Sequence, residues 1–191
     1  RISNPRRAVD AGIVFISDDR KAEGLALKLG VRENVALPNL KMFSRGGFTR
    51  PQTERATVKD IVEMLAVKTP TLDQEVRLLS GGNQQKSVLA KWLIAKPRIL
   101  VFAEPTRGID IGAKVEIYHL IQKLANDGAA IVIVSSELLE LLGLSHRILV
   151  MRGGRVQAEL DGATATEESI MLAATGIHDG AAQSADSGKG R

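Results

Sequence analysis

"RILVFAEPTRGID", residues 98–110, decides how the rest of the chain is read. Five apolar residues, Ile99 to Ala103, run onto a carboxylate, Glu104. Pro105, Gly108 and a second acid, Asp110, follow. A short apolar run bounded by turn residues predicts a buried strand. Beyond it, Val115, Tyr118, Ile121 and Leu124 recur at helical spacing up to Gly128. That predicts a helix capped by Asp110 and ending near Asn126. "AAIVIV" (129–134) is then wholly apolar, the pattern of a strand in a parallel sheet covered on both faces. Strand, helix and strand in this order argue for an α/β sheet.

Toward the N-terminus, "GIVFIS" (12–17) predicts another strand, ending on Asp18 and Asp19. Residues 20–96 carry helical patterns and no clear strand. A short one runs from about Asn34 to Phe43. A second spans Pro51 to Lys68, with Val58, Ile61, Val62 and Leu65 on one face. In "LLSGGNQQKSVLAKWLIAKP", Ser80 suits an N-cap, Val88, Leu89, Trp92 and Leu93 form a stripe, and Pro97 stops the helix at about Lys96. This stretch reads as a helical layer inserted between the first strand and the rest. Toward the C-terminus, "SELLELLGL" predicts a short helix. "RILVM" (147–151), Gly153-Gly154 and "RVQAEL" (155–160) predict a hairpin. A last helix is expected over Thr164–Ala174, with Thr164 and Glu167 spaced as a capping box. The expected organisation is one domain over 1–177, with a helical subdomain at 20–96 and the sheet core and last helix at 97–177. A disordered tail is expected over 178–191.

Composition narrows the function classes. With 44% hydrophobic and 25% charged residues, the 191-residue chain is of the globular class. Its net charge of +4 comes from basic residues spread along the sequence, and aromatics are only 3%. Neither feature points to nucleic acid. The absence of cysteine excludes disulfides and thiolate metal sites. The three histidines, His119, His146 and His178, have no metal-ligand spacing, and no nucleophile elbow is present. No metal site is expected from these residues.

Two features carry chemistry. Three expected strands end on polar groups: Asp18-Asp19, Glu104, and Ser135-Ser136. In an open parallel sheet, ligands bind beyond the carboxyl ends of the strands, so these groups would share one edge. Each alone also reads as an ordinary solvated loop. The second feature is "SGGNQQ" (80–85). Bare N–H groups at a helix start, with a serine hydroxyl beside them, suit an anion such as phosphate. A plain serine N-cap with a flexible lead-in accounts for the same letters.

Taken together, "LSGGNQQK" (79–86), the strand ending in Glu104-Pro105-Thr106, "RGID" (107–110) and "IVIVSSEL" (131–138) resemble the nucleotide-binding domain of ABC transporters. The resemblance is to the ATP-binding subunits of ribose, galactose and xylose importers, which are double-length chains with two such domains. It covers about residues 5–176 and is to the second domain. It implies a P-loop NTPase-like fold with an inserted helical subdomain, and ATP and magnesium as cofactors. It also implies a second nucleotide-binding domain and membrane permease subunits as partners, at the cytoplasmic face of the membrane. Ser80, Gly81, Gly82, Asn83 and Gln84 would belong to the signature motif, which meets the γ-phosphate of ATP held by the opposing domain. Glu104 would be the general base that orients water. Ser136 stands where many members carry a histidine that senses the γ-phosphate, Asp18 where many carry a glutamine, and Asp110 in the loop that crosses to the partner domain. Residues 20–96 would dock the permease.

Three departures shape what the resemblance implies. No G-x-x-x-x-G-K-[S/T] occurs in the chain. In the family that phosphate loop lies upstream of the region corresponding to residue 1, so the expectation is the C-terminal part of a domain. Ala103 stands where the family has the aspartate that holds magnesium. Ser136 and Asp18 replace the usual sensors. The chain by itself is therefore expected not to hydrolyse ATP. A regulatory domain that only completes a partner's site, and an ABC-type ATPase acting on nucleic acid, are the alternatives.

Overall fold

The structure, a computed structural model, describes residues 2–176, the side chain of Arg45 excepted. The tail expected over 178–191 lies outside the described residues. The chain divides into two compact units, residues 1–135 and 136–191.

The first unit opens with α1 (Pro5–Asp10), where Asn4 accepts the Arg7 N–H at 2.9 Å and Pro5 begins the helix. β1 (Ile13–Ile16) follows, and then a single π-helical turn, Arg20–Gly24. The helical layer holds α2 (Val31–Ala36), a 3₁₀ turn at Leu37–Asn39, a minimal hairpin of β2 (Ser44–Arg45) and β3 (Phe48–Thr49), α3 (Pro51–Met64) and α4 (Gly81–Leu93). Its apolar faces meet around Val31, Val35, Val58, Ile61, Val62, Val88 and Leu89, all buried. α3 stops short of Lys68 because the chain turns out at Ala66 (φ +49°), where the Val67 N–H reaches back to Val62 O. The hairpin was not expected from sequence. Its strands are two residues long, too short for an alternating pattern.

The sheet is built from β1, β4 (Ile99–Ala103) and β5 (Ala130–Val134), in the order β1-β4-β5 and parallel throughout. α5 (Ile111–Asn126) connects β4 to β5. Ile16 pairs with Phe102, and Ala103 with Val134. One face carries Val14, Ile16, Leu100 and Phe102, each at most 2% exposed. The other carries Phe15, Val132 and Val134, which are 56%, 50% and 58% exposed. The expectation that β5 is covered on both faces is therefore corrected. The wholly apolar run is real, but only one face is packed among the described residues. The α5 stripe is also shifted, since Ile117 and Ile121 are buried while Val115 stays exposed.

The second unit contains α6 (Leu138–Leu144), the hairpin of β6 (Arg147–Arg152) and β7 (Arg155–Asp161), and α7 (Glu167–Thr175). Ile148, Val150 and Ile170 form its core, with Leu138, Leu141, Leu142 and Leu160 packed around them. The cap of α7 is Thr166, paired reciprocally with Ser169, rather than Thr164 with Glu167. Asp161 O accepts the N–H groups of Thr164 and Ala165, holding Thr164 in a turn before the helix. No helix among the described residues is long and apolar enough to cross a membrane.

Candidate functional site

β4 delivers Glu104 to the carboxyl end of the sheet. Its N–H donates to Val134 O at 2.7 Å, one pair beyond the end of the strands, and its carbonyl accepts the Arg107 N–H at 3.1 Å. Between these bonds Glu104 sits at φ +45°. For a residue with a Cβ, this left-handed conformation costs roughly 1–2 kcal/mol. Such strain gathers at functional positions, where the surroundings over-determine the backbone. Neighbouring Thr106 is 1% exposed, so the loop is anchored inward at its middle.

Asp18 lies two residues past Ile16 as Glu104 lies two past Phe102, so the paired strands β1 and β4 bring both acids to one edge. There Arg107 Nη1 donates to Asp18 Oδ2 at 3.1 Å, tying the β1 loop to the β4 loop. Asp18, Asp19, Arg20, Lys21 and Arg107 line a shallow open depression. Asp19 is spent locally, since its Oδ1 accepts the Lys21 and Ala22 N–H groups and caps the π-turn. Asp110 caps α5, its Oδ1 accepting the Ala113 N–H at 3.0 Å. Ser136 begins the second unit, two residues ahead of α6.

The start of α4 is built with care for one hydroxyl. Ser80 Oγ accepts the Asn83 side-chain Nδ2 at 2.9 Å and the Asn83 N–H at 3.4 Å. Asn83 is itself held by the Lys68 N–H, which donates to its Oδ1 at 2.8 Å. With its lone pairs so engaged, exposed Ser80 has its O–H proton left to give. The N–H groups of Gly81 and Gly82 follow, at the positive end of a helix of 13 residues. Gly82 and Gln84 do different work. Gly82 is buried, and a Cβ on it would stand 2.5 Å from Ala113 Cβ, so its absence lets α4 and α5 touch. Gln84 is 5% exposed, and its amide donates to Val76 O and Leu79 O at 3.2 Å each. Of the five residues expected to form the signature motif, Ser80, Gly81 and Asn83 are the ones the fold leaves at the surface.

The helix start is also less remote from the sheet edge than its place in a helical layer implied. A Cβ on Gly81 would lie 3.1 Å from Arg20 Nη2 and 3.3 Å from Gly108 O. Arg20 bridges the two segments, its Nη1 donating to Arg107 O at 2.8 Å and its Nη2 to Gly108 O at 3.0 Å. Deeper in the helix pair, Lys86, 6% exposed at its side chain, meets Glu116 at 2.5 Å and donates to Ala66 O at 3.1 Å. This holds the Glu116 carboxyl below its usual range, chiefly through the hydrogen bond from Lys86. Neither link was read from sequence. Arg20 and Arg107 lie 87 residues apart, and only a guanidinium after two acids hinted at a role.

Ala103 offers no oxygen beside Glu104, and no group of three His, Cys, Asp or Glu among the described residues could hold a metal. A phosphate is better matched, by the Ser80 proton and the N–H groups at the start of α4.

Comparison with known proteins agrees with this architecture. The ribose import ATP-binding protein of Geobacillus kaustophilus (strain HTA426) is 49% identical over 176 residues, covering 92% of this chain and 36% of that protein. A putative ribose/galactose/methyl galactoside import ATP-binding protein of Burkholderia lata is 54% identical over 175 residues, covering 91% of this chain and 34% of its own. The chain thus spans about a third of the curated relatives it matches. Among solved structures, the ATP-binding cassette MJ0796, in a dimeric post-hydrolysis state bound to ADP and Pi, superposes with a TM-score of 0.65 at 25% identity. That match covers 78% of this chain and 62% of the cassette. The cassette MJ1267 gives 0.70 at 22% identity over 89% of this chain and 67% of its own, a likeness of fold. The family model described as ABC transporter matches residues 4–107. With its parallel sheet, its helical layer and the matched family model, this chain belongs to the ABC transporter family.

Proposed function

We propose that the chain is part of the ATP-hydrolysing component of a carbohydrate importer, and that it works by lending its signature motif to nucleotide held on a second nucleotide-binding domain. The observation that carries this reading is Ser80, an exposed hydroxyl whose acceptor sites are filled by Asn83, at the positive end of α4. The substrate class rests on the names of the ribose and galactose import relatives.

ATP brings a γ-phosphoryl group with its charge spread over terminal oxygens. Against such a group, Ser80 donates its Oγ–H, while the Gly81 N–H and the α4 dipole add positive potential. Asn83 keeps the hydroxyl turned outward by occupying its lone pairs. Glu104, at a strand end beside the Asp18–Arg107 pair, is the carboxylate that would orient a water and accept its proton at this chain's own nucleotide site, so it is not required for the help that Ser80 gives a partner's site. Ala103 cannot hold a metal beside it, which favours a chain that completes a partner's site over one that turns over ATP itself. Attachment to permease subunits at the cytoplasmic face of the membrane is the expected setting. Leu37, Leu40, Met42 and Phe48 leave apolar surface exposed in one short stretch of the helical layer.

The test is complementation. A partner cassette with its own signature disabled is supplied with this chain and its ATPase rate is followed. Stimulation abolished by Ser80→Arg and kept by Glu104→Gln supports the reading. Stimulation that depends on Glu104 and not on Ser80 reverses the assignment, and no stimulation by the unaltered chain refutes it.

A further inference from the structure

Arg20 is planted in a turn that belongs to α4. Lys91 Nζ donates to Gly24 O at 2.8 Å, and a Cβ on Gly24 would meet Val88 Cγ2 at 3.0 Å. Asp19 caps the front of the same π-turn. From this base Arg20 reaches the loop between β4 and α5, where its two terminal nitrogens donate to successive carbonyls, Arg107 O and Gly108 O. Its Nε is buried without a partner among the described residues. A buried guanidinium N–H with no acceptor is destabilising, so the side chain is held where it is by the paired carbonyls and by packing. Arg107 returns the link with its own side chain, on Asp18. Two connections therefore cross between the β1 loop and the loop that carries Glu104 at one end and Asp110 at the other.

We propose that Arg20 is a positioning residue: its guanidinium fixes the carbonyls of Arg107 and Gly108 and so holds the Glu104–Asp110 loop in register with Ser80 at the start of α4. The planar fork is what the task requires, because two N–H groups at fixed spacing define both the distance and the tilt of the loop. An ammonium on a flexible stem binds one carbonyl and leaves the tilt free. The position is also crowded, since Gly81, Gly108 O and Arg20 Nη2 converge there. Movement of the loop is thus felt at the signature. The proposal rests on the reading of Ser80 and Glu104 as parts of nucleotide sites, and its test separates the two.

Arg20→Ala, Arg20→Lys and the unaltered chain are compared in two measurements. The first is hydrogen exchange of the chain alone, read at the amides of Arg107, Gly108 and Ile109 and at Gly82 and Asn83, with the amides of β4 as the internal standard. The second is the complementation assay, resolved into kcat and KM. Arg20→Ala is expected to speed exchange at both loops with β4 unchanged. It is expected to lower the stimulated kcat roughly ten- to a hundred-fold, the scale of a small misplacement of reacting groups, while KM moves less than about three-fold. Arg20→Lys should behave like Arg20→Ala, and millimolar ethylguanidinium should restore part of kcat to Arg20→Ala. Unchanged exchange in Arg20→Ala, or full restoration by lysine, overturns the proposal. If the unaltered chain gives no stimulation, the functional reading fails while the exchange data still decide whether the clamp exists.

Discussion

Gly82→Ala tests how closely α4 is pressed against α5, the helix that follows the Glu104 loop. A Cβ at position 82 would stand 2.5 Å from Ala113 Cβ. Carbon atoms rest at about 3.5–4.0 Å, so α4 and α5 must part locally by roughly 1–1.5 Å. Overpacking of this kind costs about 1–3 kcal/mol. The better helix propensity of alanine returns up to about 1 kcal/mol. The net loss should lie between about 0 and 3 kcal/mol, so the comparison with a second variant decides the cause. Ala113→Gly removes the opposing methyl and alone costs about 1 kcal/mol through propensity. If the two positions acted independently, the double variant would lose the sum. If the Cβ–Cβ clash is the cause, the double variant should lose no more than Ala113→Gly alone. Urea unfolding followed by Trp92, the single tryptophan and itself on α4, reads the first unit directly. Additive losses in the double variant would refute close packing as the reason for glycine at position 82.

Three further outcomes follow from the same structure. Glu104→Gly and Glu104→Ala both remove the carboxylate, but only glycine relieves φ +45°, so the glycine variant should be more stable by about 1 kcal/mol; equal melting temperatures would contradict strain at that residue. The Asp73 carboxyl is held below its ordinary range, first by the hydrogen bond from Arg32 and then by that from Arg55. A depressed folded pKa means stability that is present above the unfolded value of about 4 and is lost as pH falls through the folded value; Asp73→Asn should therefore flatten the acid-side loss of urea midpoint below about pH 4, and an unchanged slope would remove Asp73 from the account. The chain alone should turn over ATP far below about 1 s⁻¹, the low end of ordinary enzymes, and Ala103→Asp should not restore it, because one added carboxylate supplies no phosphate cradle; magnesium-dependent turnover near that rate, lost in Glu104→Gln, would count against the division of labour proposed.

Where a residue's role is local, the sequence was enough. The run Ile99–Ala103 forms β4 at the expected residues, and Asp110 caps α5 as its spacing implies. Pro51 begins α3 and Ser80 caps α4 for the same reason: a cap depends on its own next three residues. Thr164 and Thr166 show the limit of this reasoning. Both precede a polar residue at the right spacing, and the turn at Asp161 chooses between them. Contacts far apart in sequence were invisible. The Arg20 bridge, the Lys86–Glu116 pair and the meeting of Gly82 with Ala113 each depend on how α4 lies against α5. Glycine at position 82 read as freedom at a helix start, whereas its use is close packing. The open face of β5 escaped for a related reason, because an apolar residue is compatible with a buried face but does not supply the partner that buries it.

Everything proposed here depends on Ser80 and the start of α4 meeting nucleotide held by another domain. The most direct measurement is sedimentation of this chain with a partner cassette that carries its own phosphate-binding loop and is blocked in hydrolysis. A one-to-one complex is expected with ATP and none with ADP, lost in Ser80→Arg and kept in Glu104→Gln. A complex indifferent to the γ-phosphate, or one that persists with arginine at position 80, would contradict it.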